Sequence, residues 1–480
     1  MAQECSILPP VTAVPRCDSG SFRDPSGFVC RMEGEVYRAV DEDYSALFQN
    51  LEATGVLDTL QGRGLLVRTR TLKHHEPVYE ALHRHIPGFA TFLHHEKVPF
   101  ISYPYEWSQS MLADAAVCSL DLELLLIEHG HSLKDASAYN VQWISGRPVF
   151  IDVPSIEVVR RRDVWTALDQ FYRMFLYPLL LKRCGKTDLK DYFLAHLDGM
   201  EPDEVFDRFG PLSAWRPATV LDVALPHLLQ RCSKGGGVKL RRSLETNRAD
   251  PRALVLNLKR LRRKIKSISA KAGSGSKWTD YTQTNTYGDE AIALKRQFVK
   301  SFIEGHPVRS VLDIGCNTGM FTELAIEAGA SVVAVDSDAG CTDALYRRAR
   351  ENKWNVTPLV MDIANPSPAM GFRHAERASF TERASFDCVF ALALLHHLLI
   401  ASRLPLEAIR DMLAELTDEY LIVEFVGPGD EMFQSFLSAR ENLYADLTVD
   451  RFLSVVGERF EIIERQQVTD HRLLLACGKL

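Results

Sequence analysis

Residues 309–336 read RSVLDIGCNTGMFTELAIEAGASVVAVD, and this stretch alternates between strand-like and helix-like segments. The apolar, β-branched run Ser310–Ile314 predicts a buried strand, and Ser331–Val335 predicts a second strand that ends at Asp336. Between them, a glycine-containing turn is followed by apolar residues at helical spacing. A strand, a crossover helix and a second strand form the unit from which parallel sheets are built. The stretch therefore predicts an α/β fold.

The same alternation continues towards the end of the chain. Three further strands are predicted at Val356–Met361, Phe386–Leu392 and Tyr420–Val426, and an antiparallel edge hairpin is predicted at Phe460–Glu464 and Arg472–Cys477. We therefore expect a Rossmann-like, mostly parallel sheet of seven strands with helices on both faces.

Ligands of such sheets bind beyond the carboxyl ends of the strands. At the first strand end, Gly315 and Gly319 let the backbone turn tightly and approach a ligand. Asp336 ends the second strand, where an acid can accept hydrogen bonds from both ribose hydroxyls, and Asp362 ends the third, within reach of an adenine amino group. The loop lacks the three glycines of a dinucleotide site. Asp313, just before the loop, is unfavourable beside a pyrophosphate but suits a ligand that carries an ammonium and a sulfonium.

The pattern D-I-G-C-N-T-G…V-D-S…M-D-I, in this order and spacing, resembles the class I S-adenosylmethionine-dependent methyltransferases over about 200 residues. The resemblance implies that S-adenosylmethionine is the cofactor. It also implies roles for matching positions: the methionine part of the cofactor would pass Asp313, Gly315, Cys316, Asn317 and Gly319, Asp336 would hold the ribose, Asp362 and Ile363 would flank the adenine, and Ala391 would line the transfer cleft. The sequence departs from many members at Asn317, where they have glycine.

The fourth predicted strand ends in the run A-L-A-L-L-H-H at residues 391–397. Methylases of nucleobase or amide nitrogens often carry N/D-P-P-Y/F at this point, so base methylation is disfavoured. His396 or His397 is a candidate general base for a hydroxyl or amine acceptor; alternatively, both begin a helix without a catalytic role. Glu424, within the apolar fifth strand, either faces the acceptor or is satisfied structurally.

The N-terminal half contains D-A-S-A-Y-N at residues 135–140, followed by a strand-turn-strand pattern and an acid at a strand end, Asp152. This arrangement resembles the catalytic and metal-binding loops of protein-kinase-like and aminoglycoside-phosphotransferase-like enzymes. The resemblance implies that Asp135 is catalytic and orients or deprotonates an acceptor hydroxyl. It further implies that Asn140 and Asp152 hold Mg²⁺ between the phosphates of ATP.

The N-terminal pattern also departs from these enzymes. Leu133 stands where they usually have histidine, and the pair Val153-Pro154 follows the metal-binding position. No Gly-rich phosphate loop precedes the pattern, and Lys73 is only a weak candidate for the phosphate-binding lysine. The alternative is an acceptor-recognition domain in which these acids are ordinary turn and strand-end residues.

The composition of the chain is that of a globular protein. It has 480 residues, of which 46% are hydrophobic and 25% charged, and its net charge of −7 gives no global sign of a nucleic-acid partner. The ten cysteines are scattered without a C-x-x-C pair, which predicts reduced thiols and a cytoplasmic protein. No apolar run is long enough to span a membrane.

One basic segment divides the chain. Residues 231–277 carry fifteen Lys or Arg and two acids, and Leu254, Leu258, Leu261, Ile265 and Ile268 form one apolar stripe on a predicted helix. The helix is either a packed connector with a solvated basic face or a surface for an acidic partner or membrane. We expect residues 1–230 to form an α+β domain of kinase-like or acceptor-recognition type, and residues 278–480 to form the methyltransferase domain. The segment from Trp278 to Tyr287 is either a lid over the cofactor or a packed approach to the domain.

The sequence thus predicts a methyltransferase that acts on a hydroxyl or amine of a small molecule or glycan. The combination of the two halves also resembles nodulation-type bacterial methyltransferases. One alternative is a bifunctional enzyme that also transfers phosphate from Mg-ATP, and another is a binding protein without chemistry.

Overall fold

The computed structural model describes residues 13–18, 20–21, 26–231, 250–270, 288–437, 444 and 446–480. The expectation for the segment from Trp278 to Tyr287 lies outside the described residues, as do both flanks of the basic connector. The cysteines in the described part of the chain are free thiols.

The N-terminal half begins with an antiparallel sheet of five strands in the order β1-β2-β3-β5-β4. These strands are β1 Arg16–Cys17, β2 Gly27–Met32, β3 Glu35–Val40, β4 Thr69–Thr71 and β5 Thr91–His95. Helices Glu42–Ala53, Val56–Gly62 and Pro77–His85 connect and cover them.

The second part of the N-terminal half is built around the helix Gln109–Glu128, here called the long helix. It begins at the N-cap Ser108, whose hydroxyl accepts a hydrogen bond from a first-turn N–H. Four short strands follow as two antiparallel pairs: β6 His131–Leu133 with β9 Ile156–Val158, and β7 Val141–Ile144 with β8 Arg147–Phe150. Further helical segments are Leu168–Phe171, Tyr172–Leu176, Tyr177–Arg183, Leu189–Ala195, Pro202–Phe209, Pro211–Ala214 and residues 220–231.

The connector helix, Pro251–Ala270, packs on the long helix and buries its whole apolar stripe. Three cations of its basic face form ion pairs with acids of the N-terminal half. Arg260 and Lys264 both bind the buried carboxylate of Asp222, and Arg262 pairs with Asp121 of the long helix. The helix is therefore a packed connector, and the N-terminal half supplies acidic partners for three of its cations.

The C-terminal half is a seven-stranded sheet in the order β12-β11-β10-β13-β14-β16-β15. Its strands are β10 Ser310–Ile314, β11 Ser331–Asp336, β12 Val356–Val360, β13 Phe386–Ala391, β14 Thr417–Val426, β15 Phe460–Thr469 and β16 Arg472–Lys479. The first five are parallel, and β16 runs antiparallel between β14 and β15. The predicted α/β, Rossmann-like fold with a terminal hairpin is confirmed.

Helices cover both faces of this sheet. They are Asp289–Gly305, Met320–Glu327, Ala339–Asn352, Phe380–Arg383, His397–Ala401, Leu406–Leu416, Glu431–Leu437 and Val449–Val456. One apolar cluster lies on one face of the sheet, and a larger cluster continues from the other face into the N-terminal half. In the described part of the chain, no helix is both long and apolar enough to cross a membrane.

The two halves meet at a buried ion pair. Nη2 of Arg383 lies 2.5 Å from Oε1 of Glu106, and the two side chains are 7% and 0% exposed. Phe100 packs beside them, with ring centroids 6.0 Å from Phe380 and 5.9 Å from Phe386. Because a buried charge without a partner is costly, this pair fixes how the halves dock.

A second contact joins the long helix to the helix Ala339–Asn352. The hydroxyl of Tyr346 donates to Asp114 over 2.7 Å, and Arg350 pairs with the same carboxylate at 2.6 Å. The N–H of Ser110 donates to Asp343 over 2.9 Å. The N-terminal half is thus bonded directly to the helix that follows strand β11.

Candidate cofactor site

The loop 315–319 turns away from the end of β10 with three residues at positive φ. Gly315 has φ +75°, Asn317 +48° and Gly319 +89°. A Cβ on Gly319 would lie 2.5 Å from a methyl carbon of Leu345, so any other residue here would displace Leu345 and strain the backbone at φ +89°. Asparagine is among the residues that tolerate left-handed backbone. This tolerance explains how the chain departs from glycine at Asn317 and still makes the same turn.

Asp336, at the end of β11, holds the loop in place. Its Oδ2 accepts a hydrogen bond from the N–H of Asn317 over 2.9 Å, and its Oδ1 accepts one from the N–H of Asp338 over 2.8 Å. Burial raises the pKa of this carboxyl group. Two N–H donors fix its orientation at the edge of the sheet, where a ribose is expected.

Asp313 lies beneath the loop and is almost completely buried. Its side chain is 2% exposed and accepts a hydrogen bond from the hydroxyl of Thr322 over 2.5 Å. Burial, together with the nearby charge of Asp336, raises the pKa of Asp313 to about 6, although the hydrogen bond from Thr322 acts in the opposite direction. A cationic ligand nearby would offset the free-energy cost of ionising this buried side chain, because an opposite charge favours the ionised carboxylate. The carboxylates of Asp313 and Asp336 therefore fit a ligand that carries a sulfonium and an ammonium.

The third strand end adds an exposed acid. Strand β12 ends at Val360, and the N–H of the next residue, Met361, bonds to the carbonyl of Asp336 over 2.8 Å. Asp362 is exposed, and its Oδ1 accepts a hydrogen bond from the N–H of Ala364, while Ile363 is buried beside it. The structure brings the predicted ribose and adenine positions together at one edge of the sheet.

The segment after β13 lies against the cofactor loop. Ala391 is buried at the strand end, and a Cβ on Gly315 would lie 3.4 Å from a methyl carbon of Leu394. His396 is buried and His397 half-buried, with ring centroids 4.4 Å apart. Burial lowers the pKa of His396 to about 3 and also lowers the pKa of His397. Both imidazoles are therefore neutral at physiological pH.

The carboxylate of Glu424 is fully paired with other groups of the protein. It is fully buried in β14, where its Oε1 lies 2.5 Å from Nζ of Lys295 and 3.0 Å from Nη1 of Arg472. Its Oε2 accepts the N–H of Ala393, a residue held at φ +50°. Arg472 also binds Asp430. Glu424 thus positions the backbone that leads to the two histidines, which decides between the two sequence interpretations.

The N-terminal constellation is also brought together. Asp135 and Asn140 lie in the loop between β6 and β7, and Asp152 follows β8. Burial raises the pKa of Asp135, and the nearby charge of Asp152 raises it further. The sequence interpretation missed Arg38 on β3, whose Nη2 lies 3.0 Å from Oδ1 of Asp152. Lys73 is exposed after β4, and its backbone N–H bonds to Glu76.

In this structure both carboxylate oxygens of Asp152 have side-chain partners. One carboxylate oxygen of Asp152 is bound by Arg38 and the other by the hydroxyl of Ser155. Among the described residues, no group of three or more His, Cys, Asp or Glu side chains could hold a metal. A magnesium ion would have to displace the guanidinium, so the assignment of Asn140 and Asp152 as metal ligands stays a prediction.

Comparisons with known proteins agree with this geometry. A family described as "Methyltransferase domain" matches residues 311–416. The nodulation protein NoeA of Rhizobium meliloti (strain 1021) is 33% identical over 463 residues, which is 95% of each chain.

Solved structures similar to part of the chain include two methyltransferases. The N-methyltransferase NodS of Bradyrhizobium japonicum WM9, with bound S-adenosylhomocysteine, is 13% identical with a TM-score of 0.30, over 41% of this chain and 90% of that chain. The magnesium protoporphyrin IX methyltransferase of Synechocystis PCC 6803 is 20% identical with a TM-score of 0.29, over 43% and 90%. The bifunctional kinase-methyltransferase WbdD is 15% identical with a TM-score of 0.30, over 42% of each chain.

The cofactor of this protein is S-adenosylmethionine. The chain is a class I S-adenosylmethionine-dependent methyltransferase, and it belongs to the family of the nodulation protein NoeA.

Proposed function

We propose that the protein methylates a hydroxyl or amine of a small molecule or glycan. One observation carries this proposal: the segment 391–397 packs on Gly315 of the cofactor loop through Leu394, and two neutral histidines follow Leu394 closely in the chain. A neutral imidazole can accept the proton that a hydroxyl or ammonium loses on methylation. The run at this position, A-L-A-L-L-H-H, offers no amide or aromatic clamp for a flipped base.

The chain contributes alignment and proton removal to this reaction. When bound, S-adenosylmethionine supplies a methyl group on a positively charged sulfur. Asp336 and the loop 315–319 orient the cofactor, and Asp313 provides negative charge beneath it. Of the two histidines, His397 is the better base, because burial lowers the pKa of His396 to about 3. Glu424, through Ala393, fixes the backbone that carries both rings.

The relative supports a proposal about the process in which this protein acts, which is nodulation. Because similarity to the nodulation protein NoeA extends over almost the whole chain, we propose that this protein acts in the same process. We also propose that the chain divides into an N-terminal domain of residues 1–230, a connector of residues 231–277 and a methyltransferase domain of residues 278–480. We further propose that the protein is cytoplasmic.

We infer that the N-terminal half recognises the acceptor. A second candidate role, phosphate transfer from ATP, is favoured by the proximity of Asp135 to Asp152. It is opposed by the ion pair between Arg38 and Asp152, because the guanidinium already neutralises the carboxylate that a metal ion would use. Recognition therefore remains the first proposal for this half.

The test is a methyl-transfer screen with the full chain and two histidine variants. Purified oligosaccharides, small amines and alcohols, and nucleic acid are offered with S-adenosylmethionine labelled in the methyl group. We expect His397→Gln to retain cofactor affinity and to lose transfer by about 100-fold, the usual range for a general base. His396→Gln is the matched control and should lose less. Equal transfer by both variants and the native chain would remove the histidines from the mechanism, and transfer only to nucleic acid would overturn the acceptor class.

A further inference from the structure

Helix 220–231 presents an unusual apolar surface. Leu221, Leu225, Leu228 and Leu229 are 54%, 43%, 40% and 52% exposed, and their spacing places them on one side of the helix. We call these four residues the leucine face. Trp215, 51% exposed, lies just before this helix. Contiguous exposed apolar side chains on a folded chain usually mark an interaction surface.

The other sides of the same helix are fully engaged. His227 bonds to Asp203 over 2.9 Å, and Asp222 is buried against cations of the connector helix. Val223 and Ala224 are completely buried. The helix is therefore firmly docked through its inner sides, and within the described ranges of the chain the leucine face remains uncovered.

Cations surround the leucine face. Arg183, Arg216 and Arg231 are exposed, and the ion pairs of the described residues include none of the three. Arg183 and Leu221 line the same groove of about 330 Å³, which also contains Arg260 and Lys264. The only acid in that groove is Asp222, and it is already paired with two cations. The rim of the leucine face is therefore positively charged on the side of this groove, while Glu201, which accepts a hydrogen bond from Gln230, is paired with Arg173.

We propose that the leucine face docks on an anionic lipid surface. Leucines on one side of a helix with arginines at their edge match the boundary between acyl chains and charged headgroups. Docking against a second copy of this chain fits less well, because a symmetric contact through this face would place the arginines of both copies in one interface. The protein would then meet its acceptor at a membrane surface without spanning the bilayer.

The test is flotation of the full chain with vesicles. We compare vesicles of phosphatidylcholine alone with vesicles that also contain phosphatidylglycerol, at low and high salt. The double variant Leu225→Gln/Leu229→Gln removes half of the leucine face. The matched control is Leu256→Gln, which changes a leucine that is 66% exposed on the connector helix. Titration with S-adenosylmethionine confirms that each variant is folded.

We expect the native chain and the Leu256→Gln control to float only with the anionic vesicles, and less at high salt. The double variant should lose this binding by at least about tenfold, because each leucine contributes apolar area to the contact. Absence of flotation of the native chain overturns the proposal. Equal flotation of the double variant and the native chain also overturns it. If the double variant instead converts a native dimer to a monomer in sedimentation, without any vesicle binding, the leucine face is a contact between copies.

Discussion

Replacing Asp313 with asparagine should stabilise the cofactor-free protein and weaken cofactor binding. Burial raises the pKa of Asp313 from 3.8 to about 6. For an acid whose folded pKa is raised, stability falls as the pH rises from the unfolded value to the folded value. The loss is about 1.4 kcal/mol per pH unit in this window, so the ionised side chain costs about 3 kcal/mol of unfolding free energy at about pH 7.5. Asparagine carries no charge but keeps an oxygen that can accept the hydroxyl of Thr322.

Urea unfolding of both proteins at two pH values tests this reasoning. The gain from Asp313→Asn should be about 3 kcal/mol at about pH 7.5 and about half of that at about pH 5, where the native acid is mostly protonated. Because any packing effect of asparagine is the same at both pH values, the difference between the gains isolates the charge. A gain that does not change with pH refutes the assignment of a raised pKa.

Cofactor titration of the same variant completes the test. S-adenosylmethionine should bind the variant more weakly, because the negative charge beneath the loop is lost. Asp387→Asn is the control, since Asp387 is another hydrogen-bonded acid of the sheet, accepting the N–H groups of Arg309 and Ser310, but lies at the opposite end of the strands. An equal loss of affinity in both variants would mean that general destabilisation, not charge, weakens binding.

Three further predictions follow from other contacts. Gly319→Ala should lower cofactor affinity at least about tenfold in calorimetry. The new Cβ would meet Leu345 at 2.5 Å, and the φ of +89° is unfavourable for alanine. Unchanged affinity would show that the loop can move. Arg383→Met should destabilise the full chain by about 3–5 kcal/mol in urea unfolding, since it leaves Glu106 buried without its cation. Adding Glu106→Gln should restore part of the lost stability. If nothing is restored, the destabilisation comes from packing. Arg38→Gln should create or strengthen Mg²⁺-dependent ATP binding if the guanidinium blocks the metal position; no binding by either protein would leave this half as a recognition domain.

The C-terminal fold was predictable because each element carries its own local signal. Strands β10 and β11 are short, buried and β-branched, and their ends are set by glycine or an acid, so their positions agree with the sequence prediction to within one residue. The ribose and adenine positions follow from the same strand ends. The carboxyl-end rule for parallel sheets then brings these positions together.

The ion pairs could not be predicted in the same way. Arg38 is a single cation inside a strand, and its partner Asp152 follows a different sheet much later in the chain. The role of Glu424 depends on Lys295 and Arg472, which approach it only after the sheet and its first helix have assembled. A pattern within one segment does not indicate which distant charge will be its neighbour, so these assignments required the structure.

The contact between the long helix and the helix Ala339–Asn352 also has a consequence for synthesis of the chain on the ribosome. Asp114 cannot form its hydrogen bond until Tyr346, which lies 232 positions later in the chain, has been synthesised. At roughly 5–20 residues per second, the interval between their emergence is about 10–50 s. Throughout that interval the nascent N-terminal half has an unfinished surface that is ready to bind the wrong apolar partner. We therefore expect slower translation to lower the yield of correctly folded chains, and a chaperone that shields this surface to raise it.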